Sequence, residues 1–224
     1  LKNNNLKEVN KLLKLRGPDN TNIVDYENYT FIHNLLHICG DKTIQPFINN
    51  NIVCLFNGEI YNYKDFNSEY KSDGECLIDL YLEYGQEFVK KLDGEFAIVL
   101  FDFNKKEVIL SSDIFATKPL FYSFNNGFII SSFKSVISKN FDTIDIIKLP
   151  ANTCIKFNFN FNIINTITIY DFKLKQYKNN MNDWMNAFEK AIEKRIKTTK
   201  NIFITLSSGY DSGCLDLVLK KKKY

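Results

Sequence analysis

The stretch that decides the fold follows the apolar run 53–56 and reads Asn57-Gly58-Glu59-Ile60-Tyr61-Asn62. Asn-Gly is the preferred pair for a two-residue type I′ hairpin turn, so a turn alone would explain it. The pair could instead form an oxyanion hole, because Asn supplies a side-chain amide and Gly a backbone N–H. Glu59 could then hold a substrate amine, and Asp73, before a helix, could bind an α-ammonium group. On these residues alone both interpretations stay open.

A second informative stretch lies near the end of the chain and reads Leu206-Ser207-Ser208-Gly209-Tyr210-Asp211-Ser212-Gly213. It follows an apolar run, and we expect a helix to start after it, at Cys214 or Leu215. Successive backbone N–H groups at a helix N-terminus, with small residues beside them, can cradle a phosphate. The stretch lacks the Gly-Lys-Ser/Thr ending of a Walker A loop. The alternative is an ordinary helix-capping turn, since Ser and Asp are common N-caps.

Composition and charge exclude several classes of partner. The chain has 224 residues, 45% of them hydrophobic, and a formal net charge of +3, so it predicts a globular protein without a nucleic-acid or membrane partner. No apolar run reaches the ~18–20 residues of a membrane span. Five cysteines form neither a CxxC pair nor a Cys/His cluster, which predicts reduced, buried thiols and a cytoplasmic location. They are Cys39, Cys54, Cys76, Cys154 and Cys214.

Hydrophobic periodicity predicts an α+β fold. A first helix is expected over 6–15, and further helices over 74–84 and 87–92. Short strands are expected over 29–33, 51–56, 97–103, 107–111, 120–124 and 127–131. Hairpin turns are predicted at Asn104-Lys105-Lys106 and Asn125-Asn126-Gly127. Helices and tight hairpins interleaved in this way indicate antiparallel sheets covered by helices.

The pattern changes near residue 170, which predicts two domains. Residues 1–170 form the first, 171–181 a polar linker, and 182–224 the start of a second. A helix over 182–198 has an apolar stripe of Trp184, Phe188, Ala191 and Ile192. The following run, 201–206, has no polar alternation, which is typical of a parallel strand buried on both faces.

Seven motifs in order give the chain a family resemblance. They are Arg16-Gly17-Pro18-Asp19, Gln45-Pro46, Asn57 to Asn62, Ser72-Asp73-Gly74-Glu75, Leu92-Asp93-Gly94-Glu95-Phe96-Ala97, Asp113 with Lys118-Pro119-Leu120-Phe121-Tyr122, and Ser131 with Lys134. The chain resembles the class II glutamine amidotransferase domain of glutamine-hydrolysing asparagine synthetases. For 1–170 this resemblance implies a four-layer α-β-β-α N-terminal-nucleophile hydrolase sandwich. The first helix and strand of an α/β ATP-pyrophosphatase domain would follow it.

The resemblance also implies roles for individual residues. Asn57 and Gly58 would form the oxyanion hole, while Glu59 and Asp73 would hold the substrate glutamine. Arg16 would lie near the nucleophile. The glutamine pocket would be lined by Leu35, Leu36, His37, Ile38 and Cys39.

The loop near the end resembles the S-G-G-x-D-S pyrophosphate loop of the same enzymes, with Ser208 in place of one Gly. ATP and pyrophosphate would be bound by Leu206, Ser207, Ser208, Gly209, Asp211 and Ser212. Asp211 would help hold Mg²⁺ through the pyrophosphate. The implied cofactors are ATP and Mg²⁺, the implied substrates are glutamine, aspartate and ATP, and a homodimer is one assembly left open.

Departures from the family pattern limit what we expect of the chain as given. The family nucleophile is an N-terminal cysteine whose α-amine, with a pKa of about 7.7–8.0, acts as base. Residue 1 is Leu, and an internal cysteine has no free α-amine. Leu35 stands where the family has a carboxylate-binding Arg, and Ser112 and Ala116 replace an Arg and a Gly. We therefore expect these 224 residues neither to hydrolyse glutamine nor to bind ATP well, which leaves open whether they are an enzyme.

The function that these residues and the resemblance predict is that of a fragment or divergent form of glutamine-dependent asparagine synthetase. That enzyme converts ATP, aspartate and glutamine to asparagine, glutamate, AMP and pyrophosphate. One alternative is a non-catalytic binding module that has kept the sandwich, which Leu35 supports. Another is a related ATP-dependent amide-forming enzyme, such as a β-lactam or lasso-peptide cyclase, which Ser208 and Tyr210 would suit.

Overall fold

The computed structural model describes residues 3–124, 127–141, 145–175, 177–198 and 200–224. The strands in these ranges are β1 (Asn20–Tyr26), β2 (Tyr29–Leu35), β3 (Phe47–Asn49), β4 (Ile52–Ile60), β5 (Gly94–Asp102), β6 (Glu107–Ser112), β7 (Phe121–Phe124), β8 (Phe128–Ser131), β9 (Ile147–Lys148), β10 (Thr153–Asn158) and β11 (Ile163–Thr168).

The α-helices in the same ranges are α1 (Asn3–Lys14), α2 (Tyr63–Phe66), α3 (Cys76–Tyr84), α4 (Lys134–Asn140), α5 (Asn182–Arg195) and α6 (Tyr210–Lys221). Two 3₁₀ helices, Asp73–Glu75 and Gly85–Lys91, flank α3. Within the described residues, none of the helices combines the length and the apolar character that a bilayer crossing requires.

Antiparallel pairing organises three sheets. The largest has the strand order β11-β10-β6-β5-β4-β3, and the smaller ones are β1-β2 and β8-β7-β9. β4 and β5 form the longest ladder, from Ile52 opposite Asp102 to Ile60 opposite Gly94. Because side chains alternate along a strand, each large strand sends half of its apolar residues to either face of the main sheet.

Two hydrophobic cores lie on the two faces of the main sheet. On one face Cys54, Phe56 and Ile98 pack with α3 and the 3₁₀ helix after it. On the other face Val53, Val99 and Phe101 pack with the two smaller sheets. Helices α1 and α4 contact each other and the smaller sheets. The layer order is therefore helix, sheet, sheet, helix, and the predicted four-layer α-β-β-α fold is confirmed.

Most of the predicted elements of this sandwich are present with shifted ends. The predicted strand over 51–56 is β4, which continues to Ile60, and the predicted helix over 6–15 is α1. The Asn104-Lys105-Lys106 turn joins β5 to β6, and Lys106 has a positive φ of 54°. The turn predicted at Asn125-Asn126-Gly127 includes two residues outside the described ranges. Strands β1, β3, β9, β10 and β11 and helices α2 and α4 were not predicted.

The chain divides into two compact units. The first comprises Leu1–His37 and Asp41–Asp171, and the second comprises Ile38–Gly40 and Phe172–Tyr224. Within the second unit α5 and α6 contact each other, and Lys221 Nζ lies 2.7 Å from Glu189 Oε1. Thr198 donates a hydrogen bond of 2.8 Å to the carbonyl oxygen of Ile38.

One predicted element of the second unit is wrong. Residues 201–206 form no strand, and Phe203 and Leu206 are 88% and 62% exposed. A parallel strand needs a neighbouring strand for its backbone hydrogen bonds, and no described residue pairs with this run. The helix predicted over 182–198 is α5. Of its predicted stripe, Ile192 is buried, whereas Trp184 is 55% exposed and stacks on Phe188.

Candidate active site

The Asn57-Gly58 pair lies inside β4, so the interpretation as a hairpin turn is wrong. Asn57 faces Ala97 across the β4–β5 ladder, and Glu59 faces Glu95. Since Val53 and Leu55 belong to the core between the two β layers, alternation places Asn57 and Glu59 on that same face. Asn57 is exposed, so its amide is accessible at the end of the sandwich.

Gly58 occupies a backbone position that only glycine fits. Its φ is +148°, and a Cβ built there would lie 1.9 Å from the carbonyl oxygen of Glu95. Glycine reaches this conformation without the steric cost that a side chain brings.

The N–H of Gly58 points away from β5. Its cross-strand partner Phe96 directs both backbone groups to Asp113, because the Phe96 N–H donates to Asp113 Oδ2 and the Phe96 carbonyl accepts from the Asp113 N–H. On the opposite edge of β4 the N–H of Phe56 donates to Gln45 Oε1, and the N–H of Ile60 donates to Asp73 Oδ2. The N–H of Gly58 lies on the same edge between the N–H groups of Phe56 and Ile60, and no described residue accepts a hydrogen bond from it.

Asp73 brings a second carboxylate to this end of β4. Asp73 lies in the 3₁₀ helix before α3, and its Oδ2 accepts a 2.9 Å hydrogen bond from the Ile60 N–H. Burial, and after it the nearby negative charge of Glu59, together raise the pKa of Asp73 to about 7 against backbone hydrogen bonds that lower it. Two carboxylates that repel each other in a half-buried position suit a ligand with a positive charge.

The raised pKa of Asp73 gives a testable pH dependence. Between about pH 4 and pH 7 the folded state binds more protons at Asp73 than the unfolded state, so this group lowers stability as pH rises. We expect Asp73→Asn to gain stability relative to the wild type on going from pH 5 to pH 8, by on the order of 1–2 kcal/mol. Urea unfolding of both proteins at the two pH values measures the change. An equal difference at both would show that the Asp73 charge carries no cost.

The predicted glutamine-lining stretch divides between the two units. Leu35, Leu36 and His37 belong to the first unit, and Ile38 and Cys39 to the second. Asp19 fixes the first part, because its N–H donates to the Leu35 carbonyl and its Oδ2 accepts from the His37 N–H at 2.8 Å.

Leu35 ends β2 and alternates with Phe31 and His33, so the three side chains share one face. Phe31 belongs to the core between the β layers, which places Leu35 on the side of the main sheet. Leu36 follows the end of β2 and is exposed.

Arg16 lies in the turn between α1 and β1, as predicted. It is exposed, and its guanidinium carbon lies 5.4 Å from the centre of the Phe133 ring. Gly17 beside it is buried, and a Cβ there would lie 2.0 Å from the Asn34 carbonyl oxygen. Close packing against β2 therefore requires the Gly in the Arg16-Gly17-Pro18-Asp19 motif.

Asp113 follows β6 and hydrogen-bonds to Phe96, the cross-strand partner of Gly58. Its buried carboxylate accepts from the N–H groups of Phe96, Phe115 and Thr117 and from the Thr117 hydroxyl. Ala116, in the same loop, has a φ of +50°, a conformation that favours the Gly of the family pattern. The Ser112 hydroxyl is buried, and no described residue bonds to it.

The cysteines were predicted to be reduced, buried thiols. All five are free, but the predicted burial is wrong for Cys39, which is half-buried, and for Cys214, which is exposed. Burial raises the pKa values of three of them: Cys76 to about 12, Cys154 to about 11, and Cys54 higher still. A thiol reacts as its thiolate, so these three are inert at neutral pH.

We expect an aromatic disulfide reagent at pH 7.5 to label Cys39 and Cys214 in the folded protein. The buried Cys54, Cys76 and Cys154 should stay unlabelled until urea unfolds the chain. Peptide mapping by mass spectrometry identifies the labelled positions. Labelling of Cys76 before unfolding would contradict the burial that the structure shows.

The loop near the chain end is closed by its own hydroxyl groups. Ser207 and Ser212 hydroxyls lie 3.0 Å apart, the Gly209 N–H donates to the Ser207 hydroxyl, and the Ser207 N–H donates to that of Ser212. Helix α6 begins at Tyr210, so the helix start expected at Cys214 or Leu215 is wrong. Asp211 and Ser212 lie in the first turn of α6, while Leu206, Ser208 and Gly209 are exposed.

The metal prediction concerned Asp211 acting through a bound pyrophosphate. Among the described residues no three His, Cys, Asp or Glu side chains gather into a metal-binding group. Asp211 lies in the first turn of α6, and a helix N-terminus favours an anion such as the phosphate through which Mg²⁺ was predicted to be held. ATP and Mg²⁺ binding stay a prediction.

Most of the chain matches a known domain family. The model of the glutamine amidotransferase domain family matches residues 1–171. The chain belongs to this family. Its relatives include the glutamine-hydrolysing asparagine synthetases. It is 37% identical to asparagine synthetase [glutamine-hydrolyzing] 2 of Oryza sativa subsp. japonica over 124 residues, which cover 51% of this chain and 21% of the relative.

A second relative matches nearly the whole chain. Asparagine synthetase B [glutamine-hydrolyzing] of Escherichia coli is 26% identical over 231 residues, which cover 96% of this chain and 41% of the relative. The chain thus spans about two fifths of that amidotransferase's length. Among solved structures, glutamine phosphoribosylpyrophosphate amidotransferase from B. subtilis is similar, with a TM-score of 0.47 and 16% identity over 58% of this chain and 32% of that one.

Proposed function

We propose that the first unit binds glutamine at the end of β4 and holds its carboxamide oxygen in a site that can stabilise an oxyanion. The observation that carries this proposal is the Gly58 N–H, which lies between the paired N–H groups of Phe56 and Ile60 and has no acceptor among the described residues. A fixed backbone donor and the Asn57 amide beside it are the donors that an oxyanion needs.

The charges at the same strand end suit the other end of glutamine. An α-ammonium group between Glu59 and Asp73 would relieve the repulsion between the two carboxylates and lower the pKa of Asp73. The carboxamide oxygen would then accept from Asn57 Nδ2 and the Gly58 N–H. Negative charge that develops on this oxygen would strengthen both hydrogen bonds in the transition state.

The wider reaction that we propose is asparagine synthesis, with ammonia from glutamine used to amidate an activated aspartate. Similarity to the asparagine synthetases over nearly the whole chain supports it. In this proposal the loop from Leu206 to Ser212 contacts ATP and pyrophosphate, and Asp211 holds Mg²⁺ through the phosphate. Five free thiols agree with a cytoplasmic location. A homodimer is the assembly we propose.

Leu35 favours a second candidate, a binding module without glutaminase activity. The side chain lies on the pocket-facing side of β2 and cannot pair with a carboxylate. Lys42, the described Lys or Arg nearest in sequence, donates through Nζ to the carbonyl oxygen of Asp19, whose own N–H donates to the Leu35 carbonyl. Such a module would prefer ligands that carry an amine and a carboxamide without a free carboxylate.

One substitution separates the two candidates. We expect Leu35→Arg to tighten glutamine binding about tenfold, because a guanidinium–carboxylate pair adds charge-assisted hydrogen bonds of about 1.5–3 kcal/mol. Binding of glutaminamide, whose carboxylate is blocked, should not tighten. Ligand-observed NMR on the full chain measures both affinities.

Leu36→Arg is the matched control, because it adds the same charge one residue away, at an exposed position just after β2. Equal tightening by both variants would indicate a general charge effect. Wild-type protein that binds neither glutamine nor glutaminamide would contradict the proposed site.

A further inference from the structure

Part of β4 forms an open edge of the main sheet. Strand β3 covers β4 only as far as Cys54, which faces Phe47, so residues 55–60 have a strand neighbour on the β5 side alone. Backbone groups on such an edge normally bond to water. Phe56 is an exception, because side chains take up both of its edge-facing groups. Gln45 Oε1 accepts the Phe56 N–H at 2.8 Å, and the His33 imidazole hydrogen-bonds to the Phe56 backbone carbonyl.

These two side chains are themselves anchored. Gln45 is 6% exposed, and its carbonyl oxygen accepts a 2.9 Å hydrogen bond from Asn22 Nδ2. Asn22 is the cross-strand partner of His33 in the β1–β2 sheet. Asn22 and His33, which face each other in the β1–β2 sheet, therefore bind Gln45 and Phe56, respectively. These hydrogen bonds connect the edge of β4 to the smaller sheet.

We propose that Gln45 and His33 are positioning residues that set the direction of the Gly58 N–H for the substrate carboxamide. This inference rests on the proposed function of the Asn57–Gly58 pair. Neither residue reaches the substrate in this account; both act through the Phe56 backbone, two residues before Gly58.

Glycine explains why such positioning is needed. Gly58 has a φ of +148° and no side chain, so the chain around it has more conformational freedom than elsewhere in β4. Hydrogen bonds at Phe56 and at Ile60 hold the strand two residues before and two residues after Gly58. A donor held in this way needs no reorganisation when charge develops on the ligand.

The protonation state of His33 agrees with this role. Burial lowers the pKa of His33 to about 4, and the hydrogen bond to the Phe56 backbone opposes the shift. At neutral pH the ring is therefore neutral and keeps one N–H, which is the donor that the Phe56 carbonyl requires.

The test compares two ligands that share the α-amino acid end and differ in the carboxamide. Norvaline has the α-ammonium and α-carboxylate of glutamine but no carboxamide. We expect Gln45→Met and His33→Leu to weaken glutamine binding by about fivefold or more, as loss of one oriented hydrogen bond would do, and to leave norvaline binding unchanged. His33→Gln, which keeps an N–H donor, should restore part of the preference.

Gln86→Met is the matched control, since Gln86 is also a buried glutamine but bonds to the Cys154 carbonyl oxygen on β10. It should lower thermal stability to a similar extent without changing the ratio of glutamine to norvaline affinity. If Gln45→Met weakens both ligands equally, or weakens neither, the positioning role is wrong.

A second measurement separates this inference from the proposed function. The amide NMR signal of Gly58 should shift in Gln45→Met and stay in place in Gln86→Met, with no ligand added. An unmoved Gly58 signal would overturn the positioning role even if glutamine binds. Wild-type protein whose Gly58 signal behaves as expected but which binds neither ligand would overturn the proposed function alone.

Discussion

Gly58→Ala should lower the free energy of unfolding by about 3–5 kcal/mol. An alanine at a φ of +148° has a conformational cost of about 1–2 kcal/mol, and overpacking adds about 1–3 kcal/mol. The Cβ would lie 1.9 Å from the Glu95 carbonyl oxygen and 2.8 Å from the Phe96 Cα. Both atoms belong to the backbone of β5, so no side chain can rotate away to relieve the contact. Urea unfolding of the full chain measures the loss.

Gly127→Ala is the control for the conformational part of this effect. Gly127 has a nearly equal φ of +142°, but a Cβ there would meet nothing within 4 Å. We therefore expect Gly127→Ala to cost only about 1–2 kcal/mol. Equal losses for the two variants would show that the close approach of β4 and β5 at Gly58 does not matter.

Asp113→Ala should have the second large effect, a loss of about 3–5 kcal/mol in the free energy of unfolding. Three backbone N–H groups, those of Phe96, Phe115 and Thr117, would lose their acceptor in a position where the Asp113 side chain is 2% exposed. Water does not reach this carboxylate easily, so the unpaired donors bear the full cost of burial. Glutamine binding should also weaken, because Phe96 lies opposite Gly58.

Thr117→Val provides a graded comparison for Asp113. It removes only the 3.1 Å hydroxyl bond to Asp113 Oδ1 and keeps the N–H bond of the same residue. We expect a loss of about 1 kcal/mol. The loss in the free energy of unfolding, measured by thermal and urea unfolding, should therefore be several times larger for Asp113→Ala than for Thr117→Val. A loss for Asp113→Ala as small as that for Thr117→Val would contradict the role of Asp113 as a shared acceptor.

Local preference and tertiary context disagree at Asn57-Gly58, and the tertiary context decides. The pair is the best available hairpin turn by local preference, yet it lies within a nine-residue strand. Pairing with β5 on one side and side-chain hydrogen bonds on the other stabilise the extended conformation. The order of several motifs along the sequence indicated the fold correctly because it does not depend on the conformation of one dipeptide.

The supporting residues of the site could be noticed from the sequence but not given their roles. Gln45 and Phe56 are 11 residues apart, and Asp113 and Phe96 are 17 apart. Neither spacing matches the period of a helix or a strand, so no local pattern links the partners. The contacts exist only after β4, β5 and β6 have paired in register.

For the run 201–206, local preference predicted a strand that the structure does not contain. Its apolar residues have strand propensity, but propensity describes how well a residue suits a pleated, half-buried surface. The described chain supplies no such surface there, and Phe203 is 88% exposed. Strand prediction from an apolar run therefore depends on a partner that the run itself does not specify.

The side chains along the free edge of β4 also affect how this protein meets other protein chains. An open sheet edge is a template on which a second chain can add a strand, which leads to aggregation. Gln45, His33 and Asp73 occupy backbone groups of Phe56 and Ile60, so an incoming strand finds few of the donors and acceptors it needs. The hydrogen bonds that shape a ligand site thus also protect the sheet against self-association, and solubility and recognition depend on the same few side chains.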